Sequence, residues 1–102
     1  MRAGLKYPPR APSTGPRKLV KLLYFAWVRQ KTGRSEETIA HAPELRTVGD
    51  LAAMLAARGG GYAEAFADRK RLRAAVNQIH AGFDAPIAAG DEVAFFPPVT
   101  GG

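Results

Sequence analysis

Cysteine is absent from the 102 residues, which removes a disulfide framework, a thiolate nucleophile and every Cys-ligated zinc or iron–sulfur site. Histidine occurs only at His41 and His80, neither in a metal-binding or catalytic spacing. Both read as structural or surface residues, so a standalone enzyme is hard to assemble and no metal site is expected. No apolar run approaches the ~18 residues of a membrane span. Residues 1–18 lack the apolar stretch of a secretory signal. These absences describe a soluble, cytoplasmic chain of a length that suits one domain.

Acid is also missing from one place. Fifteen Lys and Arg against nine Asp and Glu give a net charge of +6. Residues 1–18 hold Arg2, Lys6, Arg10, Arg17 and Lys18 and no carboxylate, which leaves the remainder close to neutral. The same stretch carries Pro8, Pro9, Pro12 and Pro16, and so lacks donors for a helix or sheet. It reads as a flexible tail, a solvated extension or else an arm for anionic partners, ahead of a domain at 19–102. The basic charge lacks the aromatic stacking motifs or recognition helix of a sequence reader, so no specific nucleic acid is expected.

Residues 19–25 form an apolar run suited to a buried strand. Val20, Leu22 and Tyr24 share one face, and Lys21, Leu23 and Phe25 the wetter one. Residues 26–31 turn helical or irregular, Thr32-Gly33 ends them, and residues 35–39 return as a short strand. Thr47 with Asp50 three residues on makes an acidic capping box, and Val48, Leu51, Ala52 and Leu55 follow as a core-facing stripe. The spacing predicts a helix over 48–58, stopped by Gly59-Gly60-Gly61, with two more helical turns around Tyr62 and Phe66. Strands follow at 72–76 and 79–83 around an Asn77-Gln78 turn. Arg69, Lys70, Arg71 and Arg73 form a solvated turn and strand edge, or else a docking patch for an acidic partner. The final strand is 92–96, ended by Pro97-Pro98. This order points to α+β, a small sheet with one principal helix on one face.

Other chemistry is excluded residue by residue. The triple glycine ends a helix and no Lys-Ser/Thr follows it, so it is not a phosphate cradle. Glu36-Glu37 point to opposite faces of a strand, and Asp91 beside Gly90 reads as ordinary surface turn chemistry. What is left is the terminus. Gly101-Gly102 after a strand and two prolines gives a side-chain-free thread whose carboxylate can enter a narrow cleft. A bare Gly-Gly alone would read as a frayed end.

The longer wording changes that. Gly90-Asp91-Glu92-Val93-Ala94-Phe95-Phe96-Pro97-Pro98-Val99-Thr100-Gly101-Gly102 closely resembles the end of the molybdopterin synthase small subunits, the MoaD family of sulfur carriers. Ala75-Val76-Asn77-Gln78 and Val20-Lys21-Leu22-Leu23-Tyr24-Phe25-Ala26, with Val28-Arg29, are similar to it too. The resemblance covers residues 20–102, and the basic leader departs from it. It implies a ubiquitin-like β-grasp fold. It also implies that the Gly102 carboxylate is adenylated with ATP by a ubiquitin-activating-type enzyme (MoeB) and converted by a sulfur donor protein to a thiocarboxylate. Gly101 would thread the tail into the large subunit (MoaE), where sulfur passes to cyclic pyranopterin monophosphate. The carrier itself would bind no cofactor, and a heterotetramer with the large subunit is implied. Gly-Gly by itself would equally fit a thiamine-type carrier or a ubiquitin-like modifier.

Strand alternation adds a docking face. If Val93 and Phe95 point inward, Ala94 and Phe96 point out, as do Leu23 and Phe25 beside Lys21. Phe25, Leu23, Phe96, Pro97, Pro98, Val99, Thr100 and, at its border, His80 are the expected partner-binding residues.

Overall fold

A computed structural model describes residues 18–98. The expected tail and the terminal Val99, Thr100, Gly101 and Gly102 lie outside the described residues. The apolar alternation near the start becomes β1 (Leu19–Tyr24), with Val20, Leu22 and Tyr24 all but fully buried. Helix α1 (Ala26–Thr32) carries the chain to β2 (Glu36–Ala40), which pairs antiparallel to β1 with Leu19 opposite Ala40. Then come α2 (Val48–Ala56), α3 (Gly60–Phe66), a 3-10 turn (Arg69–Arg71), β3 (Arg73–Val76), β4 (Ile79–Ala81) and β5 (Glu92–Phe96). The sheet order is β2-β1-β5-β3-β4, with β5 parallel to β1 and antiparallel to β3. It is the mixed sheet of a ubiquitin-like β-grasp fold.

The capping box forms as the sequence indicates. Thr47 accepts from the Asp50 N–H at 3.1 Å, and Asp50 Oδ2 accepts from the N–H groups of Thr47 and Arg46 at 3.1 and 3.0 Å. Behind this cap, Val48, Leu51, Ala52 and Leu55 are completely buried against Val20, Leu22, Val93 and Phe95 of the sheet. Helix α2 is joined by α1 and α3, each seven residues long, in the layer on that face.

The structure corrects the sequence reading at several element boundaries. Helix α2 stops at Ala56 rather than 58, because the Arg58 and Gly59 N–H groups bond three residues back and tighten the end. Gly60 and Gly61 therefore open α3 instead of closing α2. Gly59 takes φ +79° at the junction, and a Cβ on Gly61 would collide with the Lys31 carbonyl of α1. Phe25 is no longer part of β1. It caps α1, and the chain turns through Ala26 at φ +55°. The second hairpin strand ends at Ala81 rather than 83, after a two-residue turn with Asn77 and Gln78 both at positive φ.

Charge brings one more correction and one refinement. Asp91 is no surface turn acid, being 1% exposed. Its carboxylate accepts from the Ala88 N–H at 2.8 Å and from Asn77 Nδ2 at 3.1 Å, while Asn77 Oδ1 accepts from the Glu92 N–H at 3.0 Å. A turn acid is buried here because it ties the hairpin turn to the start of the central strand. The basic cluster is the exposed turn and strand edge that the sequence suggests, and two of its arginines also pack on the fold. Arg69 donates to the Gly49 carbonyl at 2.9 Å and lies 5.0 Å over the Phe83 ring, and Arg71 lies 5.3 Å over Trp27.

Glu37, on the inward face of β2, clamps the helices to the sheet edge. Its Oε2 accepts from the hydroxyls of Tyr24 at 2.7 Å and Tyr62 at 2.6 Å, and Arg58 Nη1 donates at 3.0 Å. Burial pushes the Glu37 carboxyl up, but the bonds from Tyr62, Tyr24 and Arg58 outweigh it and hold the group below its ordinary range. Burial and the bond to Glu37 together push Tyr24 far up, and the same causes raise Tyr62.

Candidate functional site

The outward face of the sheet is read directly from the registers. Leu23 lies opposite Ala94, Ala94 opposite Ala75, and Ala75 opposite His80, one row across β1, β5, β3 and β4. Phe96 stands in the next row opposite Arg73. This brings four of the sequence-derived residues onto one surface. Phe25 is 49% exposed, Leu23 and Phe96 are half-buried, and His80 is exposed. The His80 and Phe96 rings meet edge to face with centroids 5.3 Å apart. Alternation explains why Val93 and Phe95 are fully buried while Phe96 is not. Ala94 points outward, as expected, but is only 9% exposed and forms a floor between taller neighbours.

Phe25 reaches this face by a different route from the one the alternation suggests. Its N–H donates to the Phe95 carbonyl at 3.1 Å, prolonging the parallel ladder by one residue before the turn into α1. Pro97 and Pro98 leave the end of β5 half-buried, with no N–H groups to extend the ladder. They carry the chain away beside Phe25 and Phe96. Cations rim the patch: Lys21, whose Nζ lies 3.9 Å from Glu36, and Arg73. Sequence reasoning did not place Arg73 against Phe96, since that neighbour follows only from the β3–β5 register.

The described residues offer little chemistry of their own. Among them, no group of three or more His, Asp or Glu side chains could hold a metal ion. His41 is structural, its Nε2 lying 3.0 Å from the Leu45 carbonyl oxygen. No helix among the described residues is long and apolar enough to cross a membrane. The arrangement presents an apolar surface with the C-terminal segment leaving from its margin, which suits a protein that is docked upon.

Comparison with known proteins bears on the same residues. The ThiS family model matches residues 22–102. The molybdopterin synthase sulfur carrier subunit of Escherichia coli (strain K12) is 46% identical over 84 residues, covering 82% of this chain and 100% of that protein. The protein of the same name from Haemophilus influenzae is 33% identical over the same shares. Among solved structures, SAMP1 from Haloferax volcanii superposes with a TM-score of 0.62 at 27% identity, covering 82% of this chain and 99% of that one. With its central β5, its outward patch and these relatives matched along their whole length, the chain belongs to the ThiS family, as a member of the MoaD type.

Proposed function

We propose that this chain is the sulfur carrier subunit of a molybdopterin synthase and that Gly102 carries the sulfur. The observation that supports this best is the 46% identity to a carrier subunit over that protein's full length. The chemistry asks little of the carrier's side chains. A carboxylate is a poor electrophile, whereas an acyl-adenylate has a good leaving group. An adenylating enzyme that spends ATP prepares Gly102, a sulfur donor then displaces AMP, and the terminus becomes a thiocarboxylate. Gly101 keeps the thread narrow, so the large subunit can receive it and pass sulfur to cyclic pyranopterin monophosphate.

In this reading the outward face of Leu23, Phe25, Phe96 and His80, continued by Pro97, Pro98, Val99 and Thr100, docks first on the activating enzyme and then on the large subunit. Two sulfurs enter each dithiolene, so the carrier must dissociate, reload and return. That favours a half-exposed patch over a fully apolar one, since turnover is governed by the off-rate. The likeness to SAMP1 favours a second reading, attachment of the terminus to amines of other proteins.

The test is intact mass after incubation with the activating enzyme, ATP and a sulfide source. A gain of one sulfur-for-oxygen replacement on the full chain, absent from a variant lacking Gly102, is expected. No gain with a demonstrably active enzyme would overturn the proposal. A covalent adduct with lysine-bearing proteins in place of the thiocarboxylate would favour the second reading.

A further inference from the structure

The outward face carries its charge unevenly. On the flank toward β2, Lys21 lies 3.9 Å from Glu36 and stands in register with Glu92, so its charge is answered. On the β3 flank, residues 68–73 hold four cations and one acid. Asp68 spends Oδ1 on the Lys70 N–H at 3.0 Å, and Arg69 is tied to the Gly49 carbonyl and the Phe83 ring. Lys70, Arg71 and Arg73 are exposed, and among the described residues none of them forms an ion pair.

Two of these cations are nevertheless held in place. The Arg71 guanidinium lies 5.3 Å from the centre of the Trp27 ring. Arg73 donates from Nη1 to the Leu72 and Lys70 carbonyls at 3.0 and 3.5 Å, which keeps the other edge of its fork for a ligand. A cation kept only for solubility gains nothing from being held. An arginine immobilised beforehand loses less side-chain freedom when it pairs with a carboxylate.

Their position follows from the topology. Strands β1 and β5 run parallel and β3 runs against them, so the ends of β1 and β5 and the start of β3 share one end of the sheet. There Phe25 leads from β1 into α1, Pro97 and Pro98 follow β5, and Arg73 opens β3 opposite Phe96. Trp27 comes just after β1 and Arg71 just before β3, the strands on either side of β5, so their contact brackets the point where the C-terminal segment departs. A protein that receives that segment while covering Phe25 and Phe96 must also meet this flank.

We propose, on the carrier reading above, that Arg71 and Arg73 dock on carboxylates of the protein that receives the tail. The partner surface is then apolar opposite Leu23, Phe25 and Phe96 and acidic opposite the start of β3. Apolar contact is non-directional and leaves the carrier free to rotate about the patch. Charge on one flank selects a single orientation, which a narrow thread needs, and it speeds encounter more than it tightens the complex. Guanidinium forks suit the task because they engage carboxylates bidentately.

The test follows association of the full chain with the dye-labelled large subunit, and separately with the activating enzyme, by stopped flow. It is run at about 0.01 M and 1 M salt, where the screening length is roughly 30 and 3 Å. Arg71→Gln with Arg73→Gln is expected to slow association with at least one of the two proteins about tenfold at the lower salt and not at the higher. Arg71→Lys with Arg73→Lys keeps the charge but loses the forks, so the association rate is expected to hold while dissociation quickens. Lys18→Gln with Arg46→Gln removes the same charge just before β1 and beyond the end of β2, and is expected to leave both rates unchanged. Urea midpoints of each pair separate loss of folding from loss of docking. Equal slowing by the two glutamine pairs, or docking indifferent to Arg71 and Arg73 at both salts, would overturn the inference, and sulfur loading seen by intact mass would leave the carrier reading standing. A chain that neither loads sulfur nor docks on either protein would overturn both.

Discussion

Replacing Glu37 by glutamine removes a charge and little else, which makes it a sharp test of the clamp at the sheet edge. Both tyrosine hydroxyls bond to Oε2, at 2.7 and 2.6 Å, and Arg58 Nη1 lies 3.0 Å from each oxygen. A glutamine with its carbonyl at the Oε2 position keeps both tyrosine bonds and turns its NH2 toward Arg58, donor against donor. A hydrogen bond to a charged group is roughly twice as strong as a neutral one, so each tyrosine bond loses about 1 kcal/mol at most. The Arg58 guanidinium is one-third exposed, which keeps its ion pair under about 1 kcal/mol. Together Glu37→Gln should cost about 1–3 kcal/mol at neutral pH, read from urea midpoints of the full chain at constant slope.

The pH dependence tests the same reasoning. The folded carboxyl sits below its ordinary 4.5, so the stability it adds is present above that pH and is lost as pH falls through the folded value. Native and Glu37→Gln chains should therefore converge in acid. Equal midpoints at neutral pH, or a gap that persists unchanged into acid, would refute the assignment.

At the other end of the scale, the folded Tyr24 titrates above the ordinary 10.0. Stability should thus be full below pH 10 and decline as pH rises toward the folded value, and Tyr24→Phe should flatten that decline in alkaline melts. Gly61→Ala ought to stabilise α3 by about 1 kcal/mol on helix propensity alone. The collision with the Lys31 carbonyl reverses the sign to a net loss of roughly 1–3 kcal/mol, and a higher melting temperature would contradict the geometry. Asp91→Ala strands the Ala88 N–H and the Asn77 amide in a closed site and should cost about 1–3 kcal/mol by the same melts. Phe96→Asp should leave the fold intact, since Phe96 is half-buried opposite Arg73, and should weaken binding to the activating enzyme and the large subunit by tenfold or more in titration calorimetry. Unchanged affinity for both would remove the patch from the mechanism.

Legibility in the sequence followed the range of the interaction. The α2 cap needs only Thr47 and Asp50, three residues apart, and was readable along with the stripe behind it. The inward set Val20, Leu22, Val93 and Phe95 followed from period two, and so did the outward Leu23 and Phe96. Partnerships across the fold were not readable. Glu37 meets Tyr24, Arg58 and Tyr62 at separations of 13, 21 and 25 residues, and nothing in Glu36-Glu37 says which of the two faces inward until the register with β1 is known. Asp91 fails for a related reason. A turn acid next to glycine has the composition of a surface loop, and only the return of Asn77 from 14 residues upstream makes it interior. Gly61 shows the same limit for a backbone, because a helix stop and a close helix crossing are both written as glycine.

The position of β5 bears on how the protein is made. Until Glu92 to Phe96 have been synthesised, the β1–β2 pair and the β3–β4 hairpin have no strand between them and no common sheet. Such a fragment exposes Val20, Leu22 and Ala74, and the sequence-distant pairings that would bury them form late and slowly. A chain interrupted upstream of Glu92 is therefore expected to stay open to proteases. The outward row of Leu23, Ala94 and Ala75 comes into being only after the ribosome has reached the residues that lead into the tail, so completeness is inspected by the fold itself.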